Sequence, residues 1–119
     1  MKMITVKIQG QEVQAALLNP DVVKKVEDGF DSVLEKFKEA GSIETGSEGI
    51  RMQCQATIDY VEDIFGKSNT KKIFGEETDL LTCMDVLEEI QCMYETQVNP
   101  IIKEKTERIA ANIKGVEEA

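Results

Sequence analysis

Ile64-Phe65-Gly66-Lys67-Ser68-Asn69-Thr70-Lys71-Lys72-Ile73-Phe74-Gly75 decides the reading of this chain, because the tripeptide Ile-Phe-Gly occurs in it twice, at 64–66 and at 73–75. A glycine directly after an apolar pair reads as a helix end. It adopts the left-handed conformation that closes the last turn without a Cβ clash, while the apolar pair packs on the core. The stretch therefore predicts one long helix ending near Phe65, a short helix over 69–74 with Ser68 or Asn69 as its cap, and another long helix after Gly75. Phe65 and Phe74 are two of four phenylalanines in a chain with 5% aromatic residues, so both are expected in the core. Two unrelated helix stops sharing a sequence would look the same. Lys71 and Lys72 form a basic island on the short helix, which either pairs with Glu76-Glu77 or marks a contact site.

Downstream, Thr78 or Asp79 caps the next helix. Leu80, Met84, Leu87, Gln91 and Tyr94 run along one line, with Leu81, Cys83, Val86, Ile90, Met93 and Val98 widening it. A face this broad is expected to be covered on two sides, as the spine of the core. Asn99-Pro100 interrupts it, since proline removes a hydrogen bond and biases Asn99 away from helical geometry, so a kink or break is expected there. Beyond it, Ile101, Ile102, Lys105, Ile109 and Ile113 continue a thinner stripe, with mixed charges on the far side. That pattern suits a helix docking on a partner or a sister subunit, or else on its own core. Gly115 to Ala119 reads as a frayed end. Met52, Met84 and Met93 fall near the apolar faces, where they fill the core or serve an adaptable surface.

Upstream, Glu48 to Phe65 reads as a helix with Ile50, Cys54, Ile58, Val61 and Phe65 on its apolar face, and Thr57 and Ile64 flanking. Asp59 and Asp63 lie one turn apart on the other side, and nothing supplies further metal ligands, so they read as a solvated acidic face. Residues 41–49 read as a loop, with three glycines and three hydroxyl residues and without the Lys-Ser/Thr ending of a phosphate loop. Asn19-Pro20-Asp21 starts the first helix, as cap, first helical residue and dipole-matched acid. Val23, Val26, Phe30, Val33, Leu34 and Phe37 follow at spacings of three and four, and Gly29 among them is either a close backbone approach or a tolerated imperfection. At the front, Ile4, Val6 and Ile8 alternate with polar residues as in a half-buried strand. Gly10-Gln11 can turn the chain, and Glu12 to Ala16 return as a second strand with Val13 inward. The hairpin's outer edges are either open for pairing with another chain or covered.

The fold class expected from these pieces is mainly α (α+β), a short N-terminal β-hairpin followed by a bundle of four to five helices. The 119 residues fit a single domain, with the hairpin at 1–17, the helical core at 19–98 and a C-terminal helix at 100–115. The formal charge of −9 disfavours phosphate backbones, so no nucleic acid is expected as a partner. Cys54, Cys83 and Cys92 are odd in number and make no C-x-x-C, the usage of free cytosolic thiols. The front of the chain lacks the apolar block and small-residue cleavage site of a signal peptide, and no run suits a membrane span. With no histidine, no paired nucleophile and no cofactor cradle, no catalytic residue, metal or cofactor is expected.

The segment from Tyr60 to Leu80 resembles the tail assembly chaperones of long-tailed bacteriophages and prophages of Gram-positive bacteria. It shows an acidic helix end, Ile-Phe-Gly, the polar Ser68-Asn69-Thr70, basic Lys71-Lys72, a second Ile-Phe-Gly and an acidic turn. The likeness is sharp over these 21 residues; elsewhere it rests on length, order of elements and acidity. It implies a protein of the host bacterial cytoplasm that binds the tape measure protein, keeps it soluble and helps bring tail tube protein to it. A second copy of the chain is a further candidate partner. In many of these phages ribosomal frameshifting near the gene's end yields a second, longer product; if this chain is the short product, its C-terminal helix is where the extension would be attached. The candidate partner-binding residues are Lys71, Lys72, Ile101, Ile102, Ile109 and Ile113. The competing readings are a small structural virion or connector subunit, a helical-hairpin secretion substrate (whose Trp-x-Gly turn is missing), or an acidic module that binds a basic partner through charge.

Overall fold

Alternating apolar residues at the front pair into an antiparallel hairpin, β1 (Ile4–Ile8) with β2 (Gln11–Ala15), in the register Val6 opposite Val13 and Ile8 opposite Gln11. The computed structural model describes residues 1–118. The hairpin turns on Gln9-Gly10, one residue earlier than expected, with φ of 53° and 74°. Positive φ at both central residues matches the right-handed strand twist, which a turn centred on Gly10-Gln11 would not. Val6, Ile8, Val13 and Ala15 all point to the buried face.

Four helices follow and close on that face: α1 (Pro20–Ala40), α2 (Gly46–Phe65), α3 (Lys67–Phe74) and α4 (Leu80–Met93). The protein is mainly α with a small β part. α1 starts as its sequence dictates, with Asn19 Oδ1 accepting from the backbone N–H of Asp21 and Val22 and Pro20 in the first turn. The connection to α2 is only residues 41–45, because Gly46 to Gly49 join the helix instead of the loop. Gly49 is buried there, and a Cβ on it would lie 3.3 Å from the Ala40 carbonyl oxygen. So short a connection returns α2 antiparallel against α1.

The face that α2 buries is Thr57, Tyr60, Val61, Ile64 and Phe65; Ile50, expected inside, is 48% exposed. Both sets share Val61 and Phe65 and differ by a rotation about the helix axis. Tyr60 explains which wins. Its hydroxyl donates to the Val26 carbonyl at 2.7 Å, and its ring occupies the space left by Gly29. Gly29 is therefore a close approach and not an imperfection. Phe30 closes over the same ring edge-on, with centroids 6.3 Å apart.

The two Ile-Phe-Gly tripeptides do the same thing twice. Ile64, Phe65, Ile73 and Phe74 are all buried. Gly66 (φ 84°, ψ 166°) and Gly75 (φ 73°, ψ −159°) share one backbone conformation. Each donates its N–H to the carbonyl four residues back, Glu62 and Lys71. The conformation is not the left-handed helical closure expected. It combines positive φ with an extended ψ, a region open in practice to glycine alone, and sends the chain off sharply. α3 consequently begins at Lys67, so neither Ser68 nor Asn69 is its cap.

α4 starts on Asp79, whose carboxylate accepts from the Thr82 N–H at 2.7 Å. That hydrogen bond holds the Asp79 carboxyl below its ordinary pKa. Cys83, Val86, Leu87, Ile90 and Met93 are buried, with α2 on one side and β1 on the other. The spine is thus the set expected only to widen the face. In the line expected to lead, Leu87 alone is buried, while Met84 and Gln91 face outward and Leu81 is 69% exposed.

The helix does not break at Pro100. A π turn (Tyr94–Val98) links α4 to α5 (Asn99–Glu118), and Asn99 keeps helical angles of −59° and −34°. The Asn99 N–H bonds back five residues to the Tyr94 carbonyl. The extra residue in that turn loosens the ladder where proline lacks a donor and its ring needs room. α5 also runs through the stretch expected to fray, as far as Glu118; Ala119 lies outside the described residues.

Candidate protein-binding face

Leaving the bundle, α5 projects as a single helix. At ~1.5 Å per residue its length is about 30 Å. The whole molecule measures 71 × 25 × 21 Å, with a radius of gyration of 18.0 Å. A compact chain of this length would have about 13.5 Å, and the projecting helix accounts for the excess. Among the described residues, no element other than the π turn packs extensively on α5. Every residue from Asn99 to Ile113 is exposed, including Ile101 (37%), Ile102 (41%), Ile109 (60%) and Ile113 (54%). The face expected to dock on something is therefore uncovered by the protein's own core. Most helices in proteins draw their stability from packing of an amphipathic face, so covering this one would stabilise it.

The base of this arm is firmly held. Val98 is fully buried. The Tyr94 hydroxyl donates to the Leu17 carbonyl at 2.8 Å, and burial followed by the nearby Glu27 charge raises its phenol pKa. Gln97 grips the outer edge of β1, accepting from the Lys7 N–H at 2.7 Å and donating to the Lys7 carbonyl at 3.0 Å. Its amide thus imitates a neighbouring strand. Glu89 completes that edge by accepting from the Gln9 N–H at 3.1 Å.

β2's outer edge is occupied in the same way. Asn69 donates to the Gln14 carbonyl at 3.3 Å and to the Phe65 carbonyl at 3.0 Å, and Lys72 Nζ reaches the Glu12 carbonyl at 3.4 Å. At these positions both hairpin edges are covered, so strand addition by another chain has lost its hydrogen-bonding groups there. Sequence reasoning left the edges open, because long polar side chains reaching from 55 to 90 residues away leave no local signal.

The basic island is also engaged within the chain. Lys71 Nζ lies 2.8 Å from Glu76, a pair exposed on both sides, and Lys72 holds the hairpin as described. Lys71 also lines a groove of about 290 Å³ between α2, α3 and the connection from α3 to α4, with Ile58, Glu62, Lys67 and Phe74. The candidate residues thus fall into two groups on different elements, the lysines on α3 and the isoleucines on α5.

Two features lie outside any partner face. Cys83 is buried beside half-buried Cys54; burial, with Cys54 next, pushes its thiol up to about 12. The Tyr60 phenol is raised above its ordinary value, first by burial and then by Tyr94. Neither environment activates a nucleophile, since each favours the neutral form. Among the described residues no three His, Cys, Asp or Glu side chains cluster as a metal ion would require, and no helix is long and apolar enough to cross a membrane.

No curated protein and no solved structure matches the chain. A family profile matches residues 9–114, a span that takes in β2, the bundle and α5 as far as the last isoleucine of the stripe. The projecting helix is thus inside the matched unit, and the chain belongs to a family of unknown function, DUF6673.

Proposed function

We propose that this protein is a phage tail assembly chaperone, which holds helical apolar segments of the tape measure protein against α5 and keeps that protein soluble. The observation that carries the reading is the projecting helix, with Ile102, Ile109 and Ile113 exposed along one line that spans about three turns. An apolar stripe on a free helix is the geometry for helix-on-helix recognition. The likeness of Tyr60 to Leu80 to tail assembly chaperones supplies the partner. The acidity of the remaining surface, at a formal −9 for the chain, fits a protein that must keep a hydrophobic client in solution. A bacterial cytoplasmic location goes with this reading.

The test is co-expression with the longest helical open reading frame just downstream of this gene, the expected tape measure protein, followed by size-exclusion chromatography with light scattering. Solubilisation and co-elution are the expected result, abolished by Ile102→Glu with Ile109→Glu. Both positions are exposed, so that variant should keep the wild-type unfolding midpoint to within about 0.5 kcal/mol. A tape measure protein that stays insoluble beside well-folded wild-type chain would overturn the proposal. A closed ring formed by this protein alone would favour a structural subunit of the virion instead.

A further inference from the structure

We infer that the partner helix seated on α5 carries an apolar seam of about three turns flanked by acidic side chains; this deepens the proposed function and rests on it. At about 100° per residue, Ile102, Thr106, Ile109 and Ile113 fall within about 60° of arc and form the seam. Ile101 lies about a quarter-turn round from Ile102 and leads the neighbouring line of Lys105, Arg108 and Asn112. Lys103 borders the other side of the seam, and Glu104 and Glu107 lie on the back. Arg108 is tied to Glu104, but among the described residues Lys103 and Lys105 have no ion-pair partner. The seam is therefore bordered by cations on both sides, in a chain that is acidic elsewhere.

The charge is divided between body and arm. Residues 99–119 hold four basic and four acidic side chains, so the formal −9 belongs to residues 1–98. Ile109 stands ten residues beyond Asn99, about 15 Å along the axis. The Debye length in physiological salt is about 8 Å, so the charge of the acidic body is screened from the outer part of the seam, around Ile109 and Ile113. An acid-flanked helix would meet Lys103 on one side and Lys105 on the other, both without an ion-pair partner among the described residues. A second α5 would set cations against cations, which disfavours self-pairing through this face. The chain's own exposed apolar pair on α4, Leu81 and Met84, is acid-flanked by Asp85 and Glu88, but it spans a single turn before the surface turns polar. It is too short to cover the seam.

The experiment titrates the full chain with two synthetic three-heptad helices that share a leucine seam, one flanked by glutamates and the other by lysines. Fluorescence anisotropy reads the affinity at low salt and at about 0.3 M salt, where screening reaches within ~6 Å. Two exposed ion pairs, each worth about twofold, predict about fourfold preference for the glutamate peptide at low salt, falling with salt. The double variant Lys103→Glu, Lys105→Glu is expected to reverse the preference. Equal binding of both peptides, or a preference that survives the double variant, overturns the inference. So does a self-associated chain whose oligomer dissolves on Ile109→Glu and resists the glutamate peptide, because the occupant is then a second copy. The two readings fail separately. Loss of charge preference with tape measure binding intact removes only the acidic partner, whereas intact preference with an insoluble tape measure protein removes the chaperone function.

Discussion

Gly29→Ala should destabilise this protein, although a mid-helix glycine replaced by alanine ordinarily stabilises. The ordinary gain is about 1 kcal/mol from helix propensity. Here the added Cβ would lie 2.6 Å from Tyr60 Cδ1 and 2.7 Å from Cε1. Carbon atoms do not approach so closely, so the ring or a helix must move. The ring is not free to swing, because its hydroxyl is bonded to the Val26 carbonyl at 2.7 Å and Phe30 packs on its edge. The remaining response is for α1 and α2 to part along their interface. Overpacking of this kind costs about 1–3 kcal/mol, and the pinned ring places it in the upper half. Against the propensity gain, the expected net loss is about 1–2 kcal/mol. Urea unfolding followed by circular dichroism measures it, with the denaturant slope unchanged if the unfolded state is unaffected. Tyr60→Leu supplies the control. In that background the clash is gone and Gly29→Ala should turn stabilising, giving a coupling of about 2–3 kcal/mol. An alanine variant more stable than wild type in the Tyr60 background would refute the reasoning.

Gly66→Ala and Gly75→Ala should each cost about 1–3 kcal/mol, and nearly equally, because the two backbones share one conformation reserved for glycine; a neutral result at either position in chemical denaturation would break the equivalence. Thiol labelling at pH 8 should modify exposed Cys92 first, half-buried Cys54 next and buried Cys83 last, and Cys83 reacting at the Cys92 rate would contradict its burial. A thiol whose pKa is raised in the folded state contributes stability that is complete below its unfolded value near 9 and is lost as pH rises towards about 12, so the urea midpoint should fall across that window and level off below it. Gln97→Ala should accelerate hydrogen exchange at the Lys7 amide, with a stability loss of about 1 kcal/mol, since the side chain satisfies both backbone groups of that residue; unchanged exchange at Lys7 would mean that the edge is protected by something else.

Local chemistry alone determined the hairpin, the cap at Asn19, the two glycine stops and the existence of the long helices. Each rests on residues within a few positions of one another, such as the alternation of Ile4, Val6 and Ile8 or an apolar pair before glycine. Periodicity also marked the isoleucine stripe of α5. Periodicity could not say whether that stripe was covered, because a stripe facing the core and a stripe facing a partner have the same spacing. The tertiary structure decided this, by sending α5 out of the bundle through a π turn whose extra residue absorbs Pro100. It also decided which face turns inward wherever two apolar lines compete. On α2, Tyr60 found both a carbonyl and a glycine opposite, and so won the interior from Ile50. On α4, the residues between α2 and β1 were buried, while Leu81 and Met84 were left outside. The hairpin edges were closed by Gln97, Glu89, Asn69 and Lys72, side chains brought there only by the packing of helices far along the chain. Spacing along a chain records which residues can share a face, and only the neighbours that folding supplies determine what that face meets.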